Sequence, residues 1–523
     1  MRAGYIPLTT MPNILNNLRS YTTYLARSNL YFNTKYSKSK QFYKSQRANL
    51  KTTSHIKSTD KSFCNSSSNL KPSNCVSLRL STSKNVDFSR REIINFFKPY
   101  VHNLEINIAN DNRILNVVIL VTPSHITWLE NDSVQTFISQ LFVNHTSNNL
   151  WEVNVTCACV DGLAPSNREI SCGQAVNIFE GISVFLSTLN SKISNLCPAL
   201  SSSSRQASKD DCCFLTFEHG LDKDTKYSFQ VTMPLANTLF INERRSTLIT
   251  SKWRIAKDCI NHIQEPRFPL NTLAYIPITM RDFSLQISAK TLTAPRIIEK
   301  GFGNIVRKLR AEGQSSFPAS RELERVVAEA HRMNTLRSNH CVWALVFPHE
   351  MLDMEDIETQ FDNKTINDSK YLERMVKKGA KICRVLSGGG GWGAKEGLLA
   401  LDPAFSFENT SEHVEKIMSF KSIEENQEMI MGNMAQEGYL IQFLQTSYEN
   451  NLALSTPTSR QQGNQFVYGC QTADTYKPTS FDSPVYAIMP NLFGCVSETG
   501  IFLQSPHIGP SKIDIPYSYI QKK

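Results

Sequence analysis

The sequence predicts an α+β or mixed α/β protein, with a strand-rich N-terminal body followed by a mixed α/β portion that carries a glycine-rich loop. Three observations point there. Apolar runs that alternate with period two, or run unbroken for strand length, dominate residues 98–290. Helical spacing with start and stop signals appears after Pro295. Five glycines then fall within the six residues from Gly388 to Gly393. The expected organisation is a presequence-like region over 1–60, a low-complexity linker over 61–89, a strand-rich domain over 90–290 and a mixed α/β domain over 295–520.

The first fifty-nine residues hold ten Lys or Arg and no Asp or Glu. Leu15, Leu18, Tyr21 and Leu25 share roughly one helical face among the basic residues. An unopposed positive, amphipathic leader without a continuous apolar core fits a mitochondrial transit peptide rather than a secretory signal. The expected location is the mitochondrial matrix, reached through the import machinery. Ser66, Ser67, Ser68, Ser73, Ser77, Ser81 and Ser83 among Asn and Lys then read as linker.

Arg90–Phe97 opens the organised sequence with a short apolar segment. Leu104–Ile108 alternates, Ile114–Val121 is apolar but for Asn116, and Trp151–Val160 alternates until Asp161-Gly162 ends it. Ala175–Leu189 suits helix or strand. Cys213–Phe217, Tyr227–Met233, Thr247–Thr250, Leu273–Ile278 and Leu285–Ile287 read as further strands. Past Pro295, Pro318 and Ser320 start a helix with Leu323, Val326, Val327 and Ala330 at helical spacing. Cys341–Phe347 is a strand, and Ser369–Lys378 a helix stopped by Gly379. Thr410 or Ser411 starts another helix, and Glu424–Met431 and Leu440–Thr446 read as more helix. Gln465–Gly469, Val485–Met489 and Gly500–Leu503 read as closing strands, with an edge strand near Lys512–Tyr517. No apolar run reaches the eighteen residues of a spanning helix, so no membrane-spanning segment is expected.

The formal net charge is +9, and the ten N-terminal charges account for it, leaving −1 for the rest. The body is therefore no polycation, and nucleic-acid binding must rest on local groups. Thirteen irregularly spaced cysteines, several in apolar runs, fit free thiols in a reducing space. Cys157-x-Cys159 has no second pair at finger spacing, and His349-Glu350 lacks the second His of a metalloprotease motif, so no metal is expected. Cys172 and Cys470 beside glycines would be nucleophiles only if His219, His340 or His507 came close in space.

The candidate contact residues are Gly388, Gly389, Gly390, Gly391, Trp392, Gly393 and Lys395, together with Arg307, Lys308 and Arg310. Freely oriented backbone N–H groups and Lys395 suit an anion, Trp392 suits a stacked base, and the structural alternative is a tight surface loop whose Trp392 docks back on the body. A P-loop is excluded because Ala394 stands where its Lys is required and Lys395 where its Ser or Thr is required. A bare dinucleotide spacing at Gly388, Gly390 and Gly393 needs a strand before it and a full helix after it. The basic Arg307–Arg310 run reads otherwise as a solvated helix face. The leading expectation is a soluble, noncatalytic mitochondrial binding or assembly factor linked to organellar gene expression, with RNA or a protein complex as partner. The alternative is an enzyme that binds a phosphorylated or nucleotide-like ligand at the glycine-rich loop, its cofactor undefined by the sequence. Residues 1–60 fused to a fluorescent reporter are expected to direct it into mitochondria; a cytosolic reporter sinks the address.

Overall fold

The computed structural model describes residues 74–80, 90–102, 113–142, 151–171, 178–190, 206–220, 229–256, 259–276, 283–311, 313–332, 341–352, 368–388, 397–404, 434–447, 463–472, 486–505 and 508–522. The presequence-like region, Leu104–Ile108, Thr410–Ser411 and Glu424–Met431 lie outside them. Among the described residues the fold is mixed α/β, with four sheets and helical insertions.

One sheet has seven strands in the order β21 (Tyr486–Pro490), β1 (Cys75–Leu80), β5 (Gly181–Asn190), β2 (Arg113–Val121), β3 (Trp151–Cys159), β8 (Leu248–Ala256) and β9 (Cys259–Arg267). β2 lies parallel to β3 and antiparallel to β5. Leu115, Val117, Ile119 and Val121 face a core shared with α1 (Arg90–His102) and α2 (Asn131–Phe142). Those helices present Ile93, Ile94 and Phe97, and Val134, Phe137, Ile138 and Leu141, each set at helical spacing. Val118 and Leu120 face the other way, into a core between sheets. Burial on both faces explains the near-continuous apolar run of β2.

Two departures from the sequence reading stand out here. The Ser-rich stretch taken as linker contains β1, whose Ser77 hydroxyl bonds the Ser183 hydroxyl at 2.7 Å and donates to the Leu492 carbonyl at 2.9 Å. Its polar residues are paired inside the protein rather than solvated. Arg90–His102 and Asn131–Phe142 are helices within a region read as mostly sheet.

A five-stranded sheet runs β10 (Asn271–Ile276), β6 (Phe214–His219), β7 (Phe229–Pro234), β23 (Ile501–Gln504) and β24 (Ser511–Ile513), with β24 at an edge. Another runs β11 (Phe283–Gln286), β25 (Ser518–Lys522), β20 (Gln465–Cys470), β22 (Leu492–Ser497) and β4 (Gly162–Leu163). Short helices α3 (Asn167–Ser171) and α4 (Leu239–Asn242) join strands of the first half. The described chain therefore does not divide into consecutive blocks at 290–295. Strands from 465–522 complete sheets begun by residues 75–286.

The fourth sheet has eight strands: β12 (Ala289–Thr291), β19 (Leu440–Thr446), β13 (Arg296–Phe302), β14 (Ile305–Arg310), β18 (Leu399–Leu401), β17 (Lys381–Gly388) and β16 (Val342–Phe347), with β15 (Phe317–Pro318) on β14. β19 also pairs with β16, which closes β13, β14, β18, β17, β16 and β19 into an antiparallel six-stranded barrel. Ile298, Val306, Leu309, Ala344, Val346, Cys383, Leu401 and Phe443 fill it. α5 (Ala319–Arg332) adds Ala319 and Leu323 to that core, while α6 (Asp368–Lys378) packs Leu372 and Met375 into the inter-sheet core. Leu440–Thr446, read as helix, is the strand that closes the ring. No helix among the described residues is long and apolar enough to cross a membrane.

Gly494 in β22 has φ +139°, and a Cβ there would stand 1.8 Å from the Val467 carbonyl oxygen of the neighbouring strand. Gly494→Ala is expected to cost about 3 kcal/mol or more, because backbone must move apart. At Gly438, φ is +87° with nothing within 4 Å; Gly438→Ala is expected to cost only the conformational term, about 1–2 kcal/mol. Urea unfolding of the two variants checks the ranking, and equal losses refute it.

Candidate nucleic-acid interface

Arg307, Lys308 and Arg310 lie on strand β14, not on a helix. Their direction follows from two irregularities in the β13–β14 pairing. Ile298 opposes Leu309, but the next pair is Lys300 with Lys308, so Glu299 is an extra residue on β13. Gly301 then opposes Val306, so Arg307 is an extra residue on β14. Between these bulges the alternation resumes with Ile298, Leu309 and Val306 inside the barrel. The pairs Ile297/Arg310, Lys300/Lys308 and Phe302/Ile305 consequently share the outer face.

The outer face carries exposed Lys300, Arg307 and Arg310, half-buried Lys308, and Phe302 at 60% exposure beside the Gly303-Asn304 turn. Among the described residues, no ion pair engages Lys300, Arg307, Lys308 or Arg310. Arg296, on the same hairpin, is different: its guanidinium holds the nearly buried Glu322 carboxylate at 3.1 Å. Sequence reasoning passed over Lys300 and Phe302 as contact residues. The signal was present in the Lys300-x-Phe302 alternation before a Gly-Asn turn, but a reading of the segment as a helix face hides it.

Of the glycine segment, Gly388 ends β17 and Gly397 precedes β18; Gly389, Gly390, Gly391, Trp392, Gly393 and Lys395 lie outside the described residues. The described residues that flank the segment are antiparallel neighbouring strands, β17 before it and β18 (Leu399–Leu401) after it, whereas a dinucleotide fingerprint is followed by a full helix. Gly388 opposes Leu399, which opposes Val306. Gly388 and the start of the basic run are thus two strand spacings apart, roughly 10 Å. The barrel brings together the two features that the sequence separates by some eighty residues.

The N-terminus of α5 adjoins the same end, where the Ser320 N–H donates to the Gly397 carbonyl at 3.1 Å. Its positive dipole end is already met by Glu322 in the first turn, itself bound by Arg296 and Arg325. That helix end is accordingly a poor anion cradle. A Cβ on Gly388 would stand 3.1 Å from Leu399 Cδ1 and 3.2 Å from Leu323 Cδ2. Glycine at this position is explained by packing of α5 on the sheet.

The remaining sequence candidates separate cleanly. Cys157 and Cys159 both point into the helix-side core, and burial pushes the Cys157 thiol up to about 12. Among the described residues, no group of three His, Cys, Asp or Glu side chains is placed to hold a metal. His219 Nε2 is engaged by the Tyr468 hydroxyl at 2.9 Å, and burial pushes the Cys470 thiol far above its usual range. Cys470 is therefore a protonated core thiol, not an activated nucleophile. Cys172, His340 and His507 lie outside the described residues. His349 and Glu350 form a single 3₁₀ turn after β16.

The chain matches no protein-family model, no curated protein and no solved structure.

Gly388→Val is expected to destabilise the protein by about 1–3 kcal/mol through overpacking against Leu323 and Leu399. Leu323→Ala in the same chain is expected to recover part of that loss. A double-mutant cycle by denaturant unfolding checks it, and strict additivity removes the packing explanation.

Proposed function

We propose that the protein is a noncatalytic mitochondrial binding factor that serves organellar gene expression by holding single-stranded RNA on the outer face of the β13–β14 hairpin. The observation that carries this reading is the line of Phe302, Lys300, Lys308 and Arg310 on one face, its cations without acidic partners among the described residues. An exposed ring offers a base a stacking surface, and flanking ammonium and guanidinium groups meet the phosphates. Antiparallel pairing holds these groups in fixed order, so little backbone freedom is lost on binding. The body outside the N-terminal stretch has a formal charge of −1, so affinity would come from this stripe rather than from a general field.

The matrix location rests on the unopposed positive charge of residues 1–59. Trp392 and Lys395, which lie outside the described residues, remain part of the proposed contact set on their chemistry, a ring for stacking and an ammonium for phosphate.

Fluorescence anisotropy with a labelled single-stranded RNA, read across a salt series, tests the reading. Lys300→Gln, Lys308→Gln and Arg310→Gln combined are expected to reduce the slope of log K against log salt by about 2, at about 0.7 per phosphate contact. Phe302→Ala is expected to weaken binding by about 1–3 kcal/mol with the slope unchanged. Saturable nucleotide binding without RNA binding overturns the proposal in favour of a phosphorylated small ligand.

A further inference from the structure

The central sheet contains a polar row where a core is expected. Ser187 of β5 opposes Asn116 of β2, Asn116 opposes Asn154 of β3, and Asn154 opposes Lys252 of β8. Neighbouring positions Leu115, Val117, Val153, Val155 and Leu186 belong to the helix-side core. By alternation the row therefore faces the inter-sheet layer, in line with Val118, Phe185 and Ala158. The end of β10 approaches it there, with the Asn116 amide donating to the Tyr275 carbonyl at 3.3 Å.

Ser187 and Asn116 are each 6% exposed and Asn154 only 2%. Neither Asn154 Nδ2 nor Oδ1 has a hydrogen-bond partner in the protein, and nor does Ser187 Oγ. Three polar atoms on β3 and β5, the two strands that flank β2, thus carry their full desolvation penalty on one face. With Asn116 between them, the orphaned donors and acceptors of Asn154 and Ser187 lie on one face of three neighbouring strands.

The charges beside it define what it accepts. Lys252 Nζ lies 2.7 Å from Glu152 Oε2, and Arg254 Nη2 lies 3.5 Å from Glu152 Oε1. Glu152 and the two cations hold one another at the half-exposed rim, which leaves no unopposed charge for a buried anion. The inner row itself is neutral. The Asn154 amide presents one donor and one acceptor about 2 Å apart, and the Ser187 hydroxyl can act as either.

We propose that this row is a binding site for a small uncharged ligand that carries a donor and an acceptor on neighbouring atoms. That chemistry is shared by the amide edge of a nucleobase and the vicinal diol of a sugar. The ligand satisfies both ends of Asn154 and reaches Ser187 across β2, with the half-exposed Glu152 and Lys252 beside it. The site lies in the seven-stranded sheet and is independent of the RNA surface on the barrel.

The test uses the full chain with uracil, ribose and uridine at millimolar concentration. Melting temperature and hydrogen exchange of peptides covering 113–121, 151–159 and 181–190 are read together. Uracil, ribose or uridine is expected to raise the melting temperature and slow exchange in those peptides at least twofold. Uracil alone assigns the amide edge, and ribose alone the diol. Asn154→Leu, checked for folding by circular dichroism, is expected to abolish both effects. Should Asn154→Leu fail to fold, Ser187→Ala is expected to weaken the half-saturation concentration about fivefold. If none of the three probes moves either readout, or the effect persists in the variant tested, the proposal is overturned and the row is a structural water site only.

Discussion

Three sheets meet in one aromatic cluster, and the rest of the fold depends on it. Phe185 comes from the seven-stranded sheet, Phe217 and His219 from the sheet of β6, and Phe466, Tyr468 and Phe493 from that of β20. Phe185 lies 5.7 Å from Phe466 and 5.4 Å from Phe493, and Phe217 lies 4.8 Å from Tyr468. Such contacts contribute about 0.5–1.5 kcal/mol each beyond the area they bury. Inside the cluster His219 Nε2 and the Tyr468 hydroxyl bond each other at 2.9 Å, and burial holds the Tyr468 phenol well above its usual range. Three of these rings come from the first half of the described chain and three from its last sixty residues. The C-terminal strands therefore have to return before the first half has a core on its second face.

That requirement also explains where reading the sequence succeeded and where it stopped. β2, β3, β7 and β16 were legible because each has one or both faces dry and little else competing for its pattern. α5 and α6 were legible because caps and periodicity agree, down to Gly379 at φ +110°. Leu440–Thr446 was not, because all seven residues are buried, so the alternation that marks a strand is absent. Gln442 illustrates the reason: it sits on a buried face where Tyr371 donates to it at 3.0 Å and it donates to the Thr293 carbonyl at 2.7 Å. A glutamine satisfied by partners 71 and 149 residues away carries no local signal. The same holds for Ser77, whose partners lie 106 and 415 residues away.

The candidate interface was half legible for a similar reason. The basic run and the glycines were both visible as local composition. Their adjacency was not, since Val306, Leu399 and Gly388 come into line only through pairings set by ring closure. Composition also pulled in the wrong direction. A formal charge of +9 suggests a polycation, yet nearly all the asymmetry belongs to the N-terminal stretch, and the barrel's cations matter through placement rather than number.

Placement on that hairpin is set by two extra residues. Were β14 to pair without its bulge at Arg307, the positions following it would exchange faces, as any one-residue slip requires. Leu309 would then point outward, while Lys308 and Arg310 would enter a core built from Ile298, Val306, Ala344 and Phe443. Burying two unpaired cations among those side chains is far costlier than the local disruption of one ladder bond. The second bulge at Glu299 keeps the partner strand in step, so Lys300 emerges beside Lys308 rather than facing inward. An uninterrupted hairpin with the same sequence cannot keep both its apolar core and its basic face. The bulges reconcile them, and they turn a run of charge that reads as ordinary solvated surface into an ordered row ending at Phe302.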